Sequence, residues 1–412
     1  MKWVWRILKG LGAFIGGVLL VLVGLVVAMW IADPTVPRNV FFGQPITQPA
    51  AVERSQPQEL VRGAPRENIP IAPPDTLDPR ALQELEQAAA ATQSVALLVW
   101  HRGALRYEKY WPGFTASTRT NPNSMHKSVL AVLVGATIAD GVIPSVDEPV
   151  SRWITEWQGD ARRDITVREL LQMSSGLEIP VFGTWKSTKI LFGSDLAGGV
   201  LSLQAEKPHG SEFQYSNANS QLLVLMLERA VGERYAPYLS RRLWQPLGAS
   251  DAGLWMDRAG GLPRGFCCLF ATARDWLRVG RLILEGGRVD GQAIVPETWI
   301  AQMTRASPNN PNFGFQIWRG SPAGTERKYN DFTVKAFHSE PFVAEDILYI
   351  DGFGGQRVYI VPSEELIIVR TGVSQTDWDD ARLPNILVRA LRAHRGTPLL
   401  SNRVSAMRAG VS

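Results

Sequence analysis

An α+β fold is predicted for residues 80–395: an antiparallel sheet drawn from both ends of the domain, with a helical region inserted between them. Three observations predict it. Two β-rich runs, 94–100 and 104–110, open the domain and are joined by Arg102-Gly103, a two-residue hairpin signal. Further β-rich runs come late, at 314–318, 356–361 and 366–371. The stretch between them reads as helices, without the regular βαβ alternation of a doubly wound sheet.

Taken in chain order, Lys2, Arg6 and Lys9 form a basic flank (1–9) ahead of an uncharged apolar run at 10–32. Those 23 residues, at about 1.5 Å each, span a hydrocarbon core of about 30 Å. Trp3, Trp5 and Trp30 sit near its ends, where interfacial aromatics belong. The flank precedes the run, which predicts a single-pass anchor in the cytoplasmic membrane and a domain on the periplasmic, extracytoplasmic side. A cleaved signal peptide is the competing reading; Trp30, two residues before Ala32, spoils its small-residue cleavage site.

Residues 33–79 carry ten prolines among polar residues and read as an extended tether. The alternative is an arm packed on the domain through Val40-Phe41-Phe42. Helices are expected over 82–91, 124–141 (closed by Gly141), 166–173, 219–230, 273–284 and 379–394, followed by a tail at 396–412.

A net charge of +4 without a Lys/Arg block gives no footprint for nucleic acid. The two cysteines, Cys267 and Cys268, are adjacent. Disulfide geometry asks for Cα atoms further apart than one peptide allows, so the pair reads as two reduced, buried residues. The chain has no Cys-based metal site and no His-Glu-x-x-His run, so no metal or cofactor is expected.

Three short elements can carry chemistry. Ser124-Met125-His126-Lys127 heads a helix; positions i and i+3 share a face, so hydroxyl and amine can meet. Serine needs a base to become a nucleophile, and a lysine whose pKa is lowered by burial can be that base. Alone, the pattern equally fits an N-cap serine and a solvated lysine. Tyr215-Ser216-Asn217 precedes another helix. Its phenol can relay a proton if cationic neighbours lower its pKa, and its amide can hold a carbonyl or orient the lysine. Asp351-Gly352-Phe353-Gly354-Gly355-Gln356 precedes a strand, with glycines that let backbone approach a ligand. A Ser-His-Asp triad using His101, His126, His209 or His338 is the rival, but no Gly-x-Ser-x-Gly elbow is present.

In this order the three elements resemble the serine β-lactamase and penicillin-binding-protein superfamily, and within it the class C-like branch with esterases, DD-peptidases and 6-aminohexanoate-dimer hydrolases. Residues 165–171, 173–177 and 271–275 are similar to further family segments. The resemblance implies a β-lactamase-like antiparallel sheet flanked by helices, with an inserted helical subdomain. It implies Ser124 as nucleophile, Lys127 as base, Tyr215 as proton relay and Asn217 as substrate contact. The Ser124 N–H and one near Gly352–Phe353 would form the oxyanion hole.

Family members that bind β-lactams carry Lys or His where Ile350-Asp351 stands here. An ionised Asp351 facing the pocket would repel a substrate carboxylate. The expected substrate is therefore a small ester or amide, neutral or amine-bearing. A β-lactamase or DD-peptidase is the alternative, and a non-catalytic envelope binding protein of the same fold is the reading from another class.

Overall fold

The computed structural model describes residues 2–45, 47–320, 326–331 and 336–396; the predicted tail lies almost wholly outside the described residues. Helix α1 (Lys2–Ala32) runs on into α2 (Thr35–Phe42) after a two-residue turn. Strand β1 (Gln58–Val61) pairs antiparallel with β5 (Ala252–Trp255). The 33–79 stretch, expected as an extended spacer, thus contributes a helix and a strand that bury Val36, Pro37 and Val61. Its prolines stand where no ladder N–H is asked of them, so composition did not forbid folding.

Helix α3 (Pro79–Ala91) starts on Asp78, whose carboxylate accepts from the Arg80 and Ala81 N–H groups. Strands β2 (Ser94–His101) and β3 (Ala104–Tyr110) form the predicted hairpin. Arg102 and Gly103 turn with φ of 47° and 78°, the left-handed pair that a two-residue hairpin needs. The short β4 (Arg119–Thr120), the 3₁₀ turn Asn123–Met125, α4 (His126–Ala139), α5 (Val167–Leu171), α6 (Trp185–Phe192) and α7 (Asn217–Val231) follow. Then come β5, β6 (Leu269–Thr272) and α8 (Ala273–Leu284). Thr166 and Thr272 open α5 and α8 with reciprocal capping boxes to Glu169 and Asp275.

The C-terminal part supplies β7 (Trp318–Arg319), β8 (Leu348–Gly352), β9 (Gln356–Val361), β10 (Leu366–Gly372) and α9 (Arg382–Gly396). The main sheet has the order β3-β2-β10-β9-β8-β7, all antiparallel, joining the two chain ends as predicted. Every residue of β2, β9 and β10 is buried, because helices cover both faces. Ala96, Leu98, Ile367 and Val369 point to the larger core under α8; Leu97, Val99, Leu366 and Ile368 point to α3 and α9. Gly280 lets α8 approach closely, since a Cβ there would sit 2.8 Å from Val358.

Two expectations differ. The predicted strand 314–318 is a bend with only Trp318–Arg319 paired, because Gly314 and Gln316 bond back to Ile317 and Leu171. Cys267 and Cys268 are joined by a disulfide across Cα atoms 3.7 Å apart, with Cys268 in the left-handed region (φ 71°). The expectation of two reduced cysteines is corrected: the bridge forms at the one-peptide Cα separation that was held to be too short for it.

Candidate active site

Ser124 sits in the 3₁₀ turn and Lys127 in the first turn of α4, so the predicted i,i+3 approach occurs across the junction of two helical forms. Lys127 Nζ lies 2.9 Å from Ser124 Oγ, 2.9 Å from Asn217 Oδ1 and 2.7 Å from the Phe266 carbonyl oxygen. Lys127 is 2% exposed. Burial pushes its pKa from 10.5 down to about 7, against the opposing pull of Asp351. A neutral amine has two N–H bonds and one lone pair. Asn217 Oδ1 and the Phe266 carbonyl can only accept, so they take the two N–H bonds. The lone pair is left for the Ser124 hydroxyl. Phe266 was not singled out in the sequence, and a backbone acceptor leaves no signal there.

The Ser124 side chain acts on the Tyr215 phenol in the direction that lowers its pKa. The Tyr215 N–H donates to the Tyr329 carbonyl (2.7 Å) and its carbonyl accepts from Asn330 Nδ2 (3.0 Å). The ring stacks at 5.9 Å on Trp318 and meets Tyr329 edge-on at 5.2 Å; Lys127 Nζ is 5.0 Å from its centroid. The phenol pKa is raised, chiefly by burial and then by Asp351, with weaker opposing effects from Ser124, Arg327 and Arg357. The expected depression does not occur. The Tyr215 phenol therefore stays neutral, and Lys127 is the group whose pKa lies near neutrality.

Asn217 begins α7 and holds Lys127. The turn carrying Ser124 packs against β8, which ends at Gly352. A Cβ on Gly352 would collide with the Pro122 carbonyl and lie 2.9 Å from the Gln356 Cβ, so only glycine fits between strand and turn. Asn123 Nδ2 donates to the Phe353 carbonyl at 2.9 Å, and the Phe353 side chain is 57% exposed at the mouth of this region.

Asp351, expected at the pocket, is buried in a charged cluster. It is 6% exposed and lies 2.5 Å from Arg357 Nη1 and 3.2 Å from Arg327 Nη2, and it accepts from the Tyr329 hydroxyl at 2.7 Å. Asp380 completes the cluster, 2.5 Å from Arg357 Nε and 3.1 Å from Arg327 Nη2. Two arginines and two aspartates give no net charge, so the expected repulsion of carboxylates loses its source. One sequence signal could have found the pair: Arg357 faces Asp351 across the β8–β9 hairpin.

The histidines are used elsewhere. His126 points away from Ser124 and bonds the Cys267 carbonyl (2.8 Å) and the Tyr235 hydroxyl (2.9 Å). His101 contacts Thr76, and His209 contacts Glu169. His338 meets Phe342 edge-on. Among the described residues no group of three or more His, Cys, Asp or Glu is arranged to hold a metal ion.

A model of the family described as Beta-lactamase matches residues 82–391. The chain belongs to the beta-lactamase family. It is 31% identical over 267 residues to the 6-aminohexanoate-dimer hydrolase of Paenarthrobacter ureafaciens, a match covering 61% of this chain and 65% of that relative. The chain thus spans a little less than two thirds of that relative's length. Among solved structures, a putative 6-aminohexanoate-dimer hydrolase from Bacillus anthracis superposes with a TM-score of 0.70 at 18% identity, covering 86% of this chain and 95% of that one. EstCE1, described as a hydrolase with promiscuous acyltransferase activity, superposes at 0.58 and 16% identity, covering 77% and 99%. These structural likenesses concern the fold, which is that of the family.

Proposed function

We propose that this member of the beta-lactamase family is a serine hydrolase that cleaves an ester or amide through an acyl-enzyme on Ser124. The observation that carries the reading is the Lys127 amine, with both N–H bonds directed to acceptors and its remaining valence on the Ser124 hydroxyl. Ser124 Oγ attacks the carbonyl carbon as its proton passes to Lys127 Nζ. The C–O or C–N bond then breaks, and the leaving group takes a proton from the Tyr215 hydroxyl, which the Lys127 ammonium restores. Water attacks the acyl carbon in the second half as Lys127 Nζ accepts its proton; the acyl–Oγ bond then breaks and Ser124 Oγ takes that proton back from Lys127, releasing the acid and restoring the neutral amine. The N–H groups of Ser124 and of the Gly352–Phe353 corner are the proposed oxyanion donors.

Among the described residues, the two arginines beside the third element, Arg327 and Arg357, are both held by aspartates. A carboxylate-bearing substrate forgoes a charge-assisted hydrogen bond of about 1.5–3 kcal/mol, roughly 10- to 150-fold. Neutral esters and amides are the proposed substrate class, and the name of the Paenarthrobacter ureafaciens relative supports an amide among them. The experiment compares kcat/KM for a short-chain p-nitrophenyl ester, a linear secondary amide and a chromogenic cephalosporin on one preparation. Ester or amide turnover should exceed cephalosporin turnover and vanish in Ser124→Ala. The reverse order would make the protein a β-lactamase instead.

We further infer that α1 spans the cytoplasmic membrane, with the catalytic domain outside. Its length, its apolar composition and the absence of any covering by the domain support this.

A further inference from the structure

Helix α1 ends at Ala32, and the next residue is bolted to the catalytic domain. Asp33 is buried, and its carboxylate accepts from the Ser194 N–H (2.8 Å) as well as from the Thr35 N–H (3.0 Å). Six residues on, Asn39 Nδ2 donates to the Phe192 carbonyl at 2.8 Å, and α2 packs along α6. The buried Arg264 braces the same corner from beneath, donating to the Gly193 carbonyl at 2.8 Å. A helix leaving a bilayer at Ala32 therefore brings the C-terminal end of α6 to the lipid boundary within about one residue, some 4 Å of chain.

Exposed apolar side chains stand at the end of α2 and at the start of α6, the two helices that pack together. Phe41 and Phe42 close α2; Val181, Phe182 and Trp185 lead into α6. Phe182 is 84% exposed and Phe42 69%. Elsewhere on the described domain surface, exposed large apolar residues such as Leu60, Ile71 and Val142 stand singly, as is normal for a soluble face. Aromatic side chains next to a spanning helix match the chemistry of the headgroup–acyl boundary, which holds such rings at a depth of about 5–10 Å.

We propose that α2, the 181–184 turn and the start of α6 lie on the bilayer, with Phe41, Phe42, Val181, Phe182 and Trp185 in its headgroup–acyl boundary. The catalytic domain then rests on the membrane in a fixed attitude instead of swinging on a stalk. The proposal rests on the reading that α1 spans a membrane.

The test uses the full chain in nanodiscs of phosphatidylcholine and phosphatidylglycerol. Benzoylphenylalanine replaces Phe182, Leu20 or Ile71 in turn, and lipid adducts are read by mass after irradiation. Leu20 lies within α1, and Ile71 is 68% exposed at its 71–105 bridge, outside α2 and α6. Adducts at Leu20 and Phe182, each roughly tenfold above Ile71, are the expected result for a segment seated in the interface. Adducts at Leu20 without Phe182 would overturn the docking while leaving the anchor in place. No adduct at Leu20 would overturn the anchor and the docking with it. Equal adducts at all three positions would show no preferred face and would also overturn the docking.

Discussion

At Lys127, burial and hydrogen bonding act on one nitrogen. Burial brings its pKa to about 7, and the base works only when neutral. The acid limb of kcat/KM should therefore rise through about pH 7 and level off above it. Replacing Lys127 by Ala, or Tyr215 by Phe, should each lower kcat/KM by about 10²–10⁴, the reach of a general acid or base. The two losses should be far from additive, because both groups serve one proton. Near-normal rates in Tyr215→Phe would remove the phenol from the mechanism. Asp351 gives a sharper test of the buried cluster. Its charge raises the Lys127 pKa, so Asp351→Asn should move the acid limb to lower pH. It should also cost about 3–5 kcal/mol of stability, because Arg327 and Arg357 keep only Asp380 as counter-ion. An unmoved limb in a folded variant would show that Asp351 does not set the poise of Lys127. The approach of Lys127 to Ser124 was legible in the sequence because helical spacing brings i and i+3 together, although that spacing alone fitted a capping serine equally well. The Asp351 cluster was only partly legible: Arg357 faces it by hairpin register, whereas no local pattern encodes Arg327 and Tyr329 beside it.

Among the elements, α4 places the base but also carries His126, enclosed between Cys267 and Tyr235. Burial lowers the His126 pKa from 6.5 to about 4. The unfolded chain takes up a proton below 6.5 and the folded chain does not, so this contribution to stability is full above 6.5 and lost as pH falls toward 4. The loss should amount to about 3 kcal/mol and be readable in urea melts at both pH values. His126→Gln should flatten that slope. The β8 end gives a second test. Gly352→Ala should push β8 from the 123–125 turn, lowering kcat with a smaller effect on KM, because backbone and not a flexible side chain meets the new carbon. The β2–β3 hairpin and α8 were read correctly because a two-residue turn and a strong helical period are local signals. The bend at Gly314–Trp318 was not, because its carbonyls and N–H groups are satisfied by Leu171 and neighbouring loop residues.

For the whole molecule, the order of strands, helices and strands was enough to place a sheet made from both chain ends around an inserted helical region. The order within the sheet was not legible, since pairing of β10 with β2 depends on which apolar faces meet far apart in sequence. The N-terminal 33–79 stretch was read as a spacer on composition, yet β1 completes the small sheet β1-β5-β6-β4. The central claim for the molecule is a covalent intermediate on one hydroxyl. The most direct measurement is intact mass, followed by peptide mapping, after brief exposure to a fluorophosphonate or a slowly released activated ester at pH 8. One adduct is expected, on the peptide bearing Ser124 and absent from Ser124→Ala. A protein that turns over the ester without an adduct, or whose Ser124→Ala variant is still labelled at the same rate, would contradict the assignment.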